Sequence, residues 1–115
     1  MPNKGRAGEA AAVFLLEEKG MRIIKKNFRS RMGEVDIIAL DGECIVFIEV
    51  KTWLSYGIEA LEQAINPKKQ RKIIETSKYF LSLHREYRYM AIRFDVIFVS
   101  TEGISHLASA FTECV

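Results

Sequence analysis

Between residues 5 and 19, apolar side chains recur at Ala7, Ala10, Ala11, Phe14 and Leu15, the steps of a helix with one inward stripe. Gly20, just after Lys19, is placed to end that helix. Met21 to Arg29, carrying Ile23, Ile24 and Phe28, reads as a strand. Two β-rich runs follow, Gly33 to Leu40 and Glu43 to Lys51, around the dipeptide Asp41-Gly42, which is a hairpin signal. A short helix fits Ile58 to Ile65. Asn66-Pro67 then supplies an N-cap and a first-turn proline for a long helix. Its apolar stripe runs through Ile73, Ile74, Ser77, Phe80, Leu81 and His84. Ala91 to Ser100 reads as a further strand, and Ile104 to Leu107 as a short last one. The order predicts a mixed α/β fold over residues 1–115, one domain without linker or repeat.

Composition narrows the class. With 49% hydrophobic and 28% charged residues, 115 residues can bury one ordinary core and are neither disordered nor fibrous. Cys44 and Cys114 stand far apart, which argues against a disulfide framework or a thiolate zinc site. The apolar runs Ile37–Leu40 and Ile45–Ile48 are too short to cross a bilayer, and the first residues do not form a signal-peptide core. A cytoplasmic protein is expected.

Charge falls in blocks. Basic residues dominate 1–31 and 67–93, whereas 32–66 carry seven acids against Lys51 alone. An acidic centre between basic flanks suits a cation site beside surfaces for an anionic polymer such as nucleic acid.

The acids of the hairpin carry the chemical argument. With Asp41-Gly42 as a two-residue turn, Leu40 pairs with Glu43, Asp36 lies opposite Phe47, and Glu34 lies opposite Glu49. Alternation then puts Glu34, Asp36, Phe47, Glu49 and Lys51 on one face. Asp36 and Glu49 become diagonal neighbours, roughly 7–8 Å apart before their side chains lean together. From there both carboxylates can reach one hard cation at about 2.0–2.1 Å. Without a cation the clustered like charges repel. A divalent ion and the Lys51 ammonium would relieve them, and the ion would activate a water and stabilise charge on a phosphate. Lys51 could orient or deprotonate that water, or neutralise the reacting phosphate.

Asp36 followed by Glu49-Val50-Lys51, at the end of an apolar strand, resembles the PD-(D/E)xK motif of restriction-endonuclease-like nucleases. The whole chain resembles the small bacterial YraN-type family, assigned as endonucleases and similar to archaeal Holliday junction resolvases. The matching pieces are Gly5-Arg6-x-Gly8-Glu9, Asn27-Phe28-Arg29, Gly33 to Ile38, Val46 to Thr52, Lys69-Gln70-Arg71, Arg93 to Val96 and Ala110-Phe111. The resemblance implies a central mixed β-sheet flanked by helices. It implies Asp36, Glu49 and the Val50 main-chain carbonyl as ligands of Mg²⁺ (or Mn²⁺), Lys51 as the catalytic lysine, and Glu9 joining the site from the first helix. Val35 stands where the motif has proline, and Trp53 where the family often has arginine.

The expected activity is metal-dependent hydrolysis of DNA, selective for branched structures, since no element reads as a base-reading helix. Arg29 and Arg31, with Lys68, Lys69 and Arg71, are the expected phosphate contacts. Positive charge at the start of a helix opposes its dipole and so suggests an anion partner. Cleaving two strands would call for a homodimer. Glu34 is expected to be an ordinary strand residue, Gln63 to stand away from the site, and Trp53 and Tyr56 to pack. Arg93 and Asp95 are expected to form an ion pair, and His84 and His106 to be structural. The contrasting expectation is a catalytically idle nucleic-acid- or partner-binding module with the same fold; a third is RNA processing.

Overall fold

A computed structural model describes residues 4–52 and 65–112, with side chains from Ala7 onwards. The elements are α1 (Lys4–Glu18), β1 (Arg22–Arg29), β2 (Glu34–Asp41), β3 (Cys44–Thr52), α2 (Pro67–Leu83), a 3₁₀ turn (Arg85–Tyr87), β4 (Ala91–Ser100) and β5 (Gly103–Phe111). The strands form one mixed sheet in the order β1-β2-β3-β4-β5. Only β3 and β4 run parallel, and the connection between them contains α2. This five-stranded sheet flanked by two helices is compatible with a restriction-endonuclease-like core. The segment from Trp53 to Ala64, with Tyr56, Gln63 and most of the short helix expected from Ile58, lies outside the described residues.

Each face of the sheet is covered by one helix. In β3, Ile45 and Phe47 pack with Ile73, Ile74 and Phe80 of α2, whereas Val46 and Ile48 pack with Ala12 and Leu16 of α1. All four of these strand residues are fully buried, as befits a central strand covered on both sides. Each such side chain contributes about 1.5–3 kcal/mol by leaving water.

Local chemistry sets the ends of the helices. Asn66 Oδ1 accepts the Lys69 amide at 2.9 Å, so the expected N-cap forms in front of Pro67. At the end of α1, Gly20 adopts φ +88°, and the amides of Gly20 and Met21 donate to the carbonyls of Glu17 and Leu16, each at 3.0 Å. That is a Schellman motif, which only a residue free of Cβ strain forms readily.

Two expectations are corrected. The inward stripe of α1 is Gly8, Ala12 and Leu16, while Ala7, Ala10 and Phe14 are exposed. Alanine-rich sequence offers two apolar stripes; the inward one puts Ala12 and Leu16 in the core and carries Gly8, where a Cβ would crowd the Thr52 hydroxyl. The last strand is nine residues long and does not stop at Leu107. Its register with β4 shifts between Phe94 and Val96, and Ser109 takes φ +52° with its amide donating to Asp95 Oδ1 at 3.0 Å. A bulge whose amide serves a buried acid leaves no mark in the hydrophobic pattern.

Candidate metal centre

The hairpin turns one residue later than expected. Asp41 pairs with Cys44, Leu40 with Ile45 and Ile38 with Phe47, so the turn residues are Gly42 and Glu43. Gly42 has φ +59° and no positive φ is found at Glu43, the pattern of a turn with glycine at its first central position. Asp41 is kept in the strand by Arg93, whose guanidinium donates to its Oδ2 at 2.9 Å. The shift changes every partner: Ile37↔Ile48 is the last pair, and one step further brings Asp36 level with Glu49 rather than Phe47. The predicted diagonal pair becomes a facing one.

Unbroken alternation along β2 is also corrected. Val35 and Ile38 pack in the α2 layer, but Ile37 packs in the α1 layer, so the strand changes face at Asp36. Asn27 of β1, level with Asp36 by the register of its neighbours, adopts φ +54°. Asparagine tolerates this left-handed conformation far better than a branched residue would. Both strands therefore distort where the acid sits, and the five residues expected on one face do not share it by simple alternation.

Asp36 is half-buried and poorly suited to being charged. Its carboxyl is pushed up to about 8, by burial first, then by a hydrogen bond to Glu49, the Glu49 charge and the Glu34 charge. The Val50 amide, which donates to Asp36 Oδ2 at 2.7 Å, works in the opposite direction without prevailing. Glu49 Oε1 lies 3.5 Å from Lys51 Nζ, both side chains being largely buried. Glu9 of α1 reaches the same neighbourhood. Burial and the Asp36 charge raise its pKa, and a hydrogen bond with Asn27 partly offsets them. Glu34 instead lies 3.4 Å from Arg29 Nε.

Asp36, Glu49, Lys51 and Glu9 thus come together. Val50 meets Asp36 through its amide, whereas the resemblance implied its carbonyl. Among the described residues no three His, Cys, Asp or Glu side chains gather closely enough to hold a metal by themselves. A cation here would need Asp36, Glu49, a main-chain carbonyl and oxygens from water or substrate. Those are hard oxygen donors, and they fit Mg²⁺ or Mn²⁺. Asn27, which steadies Glu9, was missed by the sequence reading; nothing in an exposed Lys-Asn-Phe tripeptide signals a left-handed residue.

A second acid shows the opposite electrostatics. Asp95 is completely buried, yet its pKa is lowered. Burial would raise it, but Arg93 Nε and Nη2 donate at 2.9 Å each, His106 Nε2 lies at 2.7 Å and the Ser109 amide donates at 3.0 Å. His106 Nδ1 in turn lies 2.7 Å from Lys19 Nζ. The expected Arg93–Asp95 pair and structural His106 belong to this network. His84 stacks on Phe80 at 4.2 Å between ring centres.

The basic flanks are joined by packing. Ser30 Oγ lies 3.0 Å from Thr76 Oγ1, and a Cβ on Gly33 would crowd Lys72, so the β1–β2 connection rests on α2. Arg29, Arg31, Lys68, Lys69, Arg71 and Lys72 are all exposed on these two elements. A cleft of about 160 Å³ between α2 and the β4–β5 edge, lined by Ile74, Leu81, Phe94 and Phe111 among others, contains none of the clustered acids.

Comparison with known proteins shows the family of the chain. Residues 8–99 match the family described as uncharacterised protein family UPF0102. A UPF0102 protein of Treponema denticola is 43% identical over 99% of this chain and 98% of its own length. That of Persephonella marina is 44% identical over 94% of this chain and 92% of its own, and that of Syntrophus aciditrophicus 48% over 84% and 75%. These names state no activity. With most of both chains aligned at such identity, the protein belongs to UPF0102, the family of the YraN-type resemblance.

Proposed function

We propose that this protein is a divalent-cation-dependent endonuclease that hydrolyses DNA phosphodiester bonds, with a preference for branched structures. The observation that supports it most is Asp36: a half-buried carboxyl held against Glu49, with its pKa driven up to about 8 and, among the described residues, no cationic side chain hydrogen-bonded to it. Perturbed acids without a structural partner concentrate where a ligand completes the electrostatics. Asp36, Glu49 and the Val50 carbonyl would hold Mg²⁺ or Mn²⁺, with Glu9 beside them. When bound, the ion would acidify a water and offset charge on the phosphate. Lys51, which lies 3.5 Å from Glu49, would orient that water or neutralise the reacting phosphate. Arg29, Arg31, Lys68, Lys69 and Arg71 would grip the backbone on either side, and cutting both strands of a branch would use two copies of the chain.

The test is cleavage of labelled branched and linear DNA in Mg²⁺ or Mn²⁺, by the wild type beside Asp36→Asn and Lys51→Ala. The expected result is metal-dependent cutting, lost in both variants while DNA binding persists. A second reading, an idle binding module, draws on the Glu49–Lys51 contact, which already neutralises one acid. Binding without cutting, indifferent to both substitutions, would favour it. The same assay with RNA separates an RNA substrate.

A further inference from the structure

Two residues other than glycine adopt a positive φ among the described residues, and each delivers a donor to a carboxyl group. Ser109, at φ +52°, gives its amide to Asp95. Asn27, at φ +54°, is hydrogen-bonded through its side chain to Glu9. An ionised carboxylate only accepts, so the Asn27 amide is the donor. Asn27 is an exposed residue of the edge strand β1, and no burial offsets the cost of its backbone. The left-handed conformation costs an ordinary residue about 1–2 kcal/mol, and asparagine less.

The register shows what that backbone does. Lys26 pairs with Ile37, which packs in the α1 layer, and Phe28 pairs with Val35, which packs in the α2 layer. Residues 26 and 28 of an alternating strand would share a face. Strand β1 therefore changes face at Asn27, level with the change of β2 at Asp36. The charges of Asp36 and Glu34 both act on Glu9, so an unrestrained Glu9 side chain would swing away from them into solvent. Lys26 attracts Glu9 as well, but an ammonium on a four-carbon stem sets no direction. A short amide on a fixed backbone does. We infer that Asn27 is a positioning residue of the metal centre, whose left-handed backbone presents its amide to Glu9 and holds that carboxylate toward Asp36 for a shared divalent cation. This rests on the cation-binding reading of the centre and deepens it, by naming what makes a helix residue part of a site built on strands.

Calorimetric titration of Mn²⁺ into the metal-free full chain tests this, in the wild type, Asn27→Gly, Glu9→Gln and the double variant. Glycine adopts a positive φ without strain, so Asn27→Gly removes the amide and keeps the path of the strand. Its melting temperature should not fall, whereas its Mn²⁺ affinity should drop by roughly tenfold or more, as when a group that orients a ligand is lost. In the Glu9→Gln background the same substitution should change affinity by less than about twofold, because no carboxylate remains to be held. At saturation, the paramagnetic resonance spectrum of Mn²⁺ in Asn27→Gly should differ from that in the wild type and match that in Glu9→Gln. Asn27→Ala should lose the same affinity and also melt lower, since alanine is strained at this φ. Wild-type affinity in Asn27→Gly overturns the inference, as does an equal loss in the Glu9→Gln background or an unchanged spectrum. Each of these leaves Mn²⁺ binding by the wild type intact; a wild type that binds no Mn²⁺ overturns the cation reading and the inference together.

Discussion

Two aspartates of this molecule have opposite electrostatics, Asp95 lowered and Asp36 raised in pKa. Asp95 is saturated with donors, and removing its charge would leave these donors and the half-buried Arg93, which also holds Asp41, beside an incomplete partner. Asp95→Asn is therefore expected to lower stability by about 3–5 kcal/mol, measurable by urea unfolding. Asp36→Asn should behave oppositely. The amide oxygen can still accept from the Val50 N–H, while the repulsion with Glu49 disappears, so in metal-free buffer at pH 8 stability should rise by about 1 kcal/mol. The pH dependence follows in sign. A carboxyl whose pKa rises on folding from 3.8 to about 8 makes the native state bind more protons than the unfolded one. Stability from this group is thus fully present below pH 3.8 and declines as pH climbs toward 8. Asp95, lowered on folding, contributes stability that is lost only in acid. Metal-free melting curves from pH 5 to about 8 should slope downward in the wild type and flatten in Asp36→Asn. The sequence singled out both acids and paired Asp95 with Arg93. It could not show the His106 and Ser109 contacts, because these come from a strand whose bulge depends on the folded network.

Elements were legible where a pattern has one physical solution. The cap at Asn66, the Gly20 termination and the β4 span of Ala91–Ser100 all follow from local chemistry, and all form as expected. The hairpin register and the face of α1 do not, because each had two nearly equivalent solutions that only distant residues decide. Arg93 holds Asp41 in the strand and pushes the turn to Gly42-Glu43. Displacing the turn by one residue changed each sum of paired positions by two, so the hairpin kept its pleat parity while gaining new partners. The hand-over at Asp36 and the left-handed Asn27 are local distortions that no period-two pattern reports. Gly8 eases the close approach of α1 to Thr52. Gly8→Leu should force the helix outward and cost about 1–3 kcal/mol, seen as a lower melting temperature. It should also displace Glu9, the next residue, and so weaken metal binding beyond what the stability loss explains. A Gly8→Leu protein with wild-type stability and metal affinity would show that the approach is not required.

At the scale of the molecule, two basic blocks that are separate in sequence are brought together by packing. The β1–β2 connection lies against α2, so Arg31 and the Lys68–Lys72 cluster form neighbouring surfaces. Substituting Arg31, Lys69 or Arg71 by alanine should weaken DNA binding similarly for every sequence. Each should reduce the slope of log affinity against log salt by about 1, as expected of a lost phosphate contact. A change confined to one DNA sequence would argue for base reading instead. No helix among the described residues is long and apolar enough to cross a membrane. The central claim is that Asp36 and Glu49 form an incomplete site awaiting a divalent ion. Calorimetric titration of Mn²⁺ into the metal-free protein tests it most directly, in the wild type, Asp36→Asn and Glu49→Gln. Saturable heat in the wild type that vanishes in both variants is the predicted result. Heat that persists unchanged in either variant, or a wild type that takes up no ion even with DNA present, would contradict it.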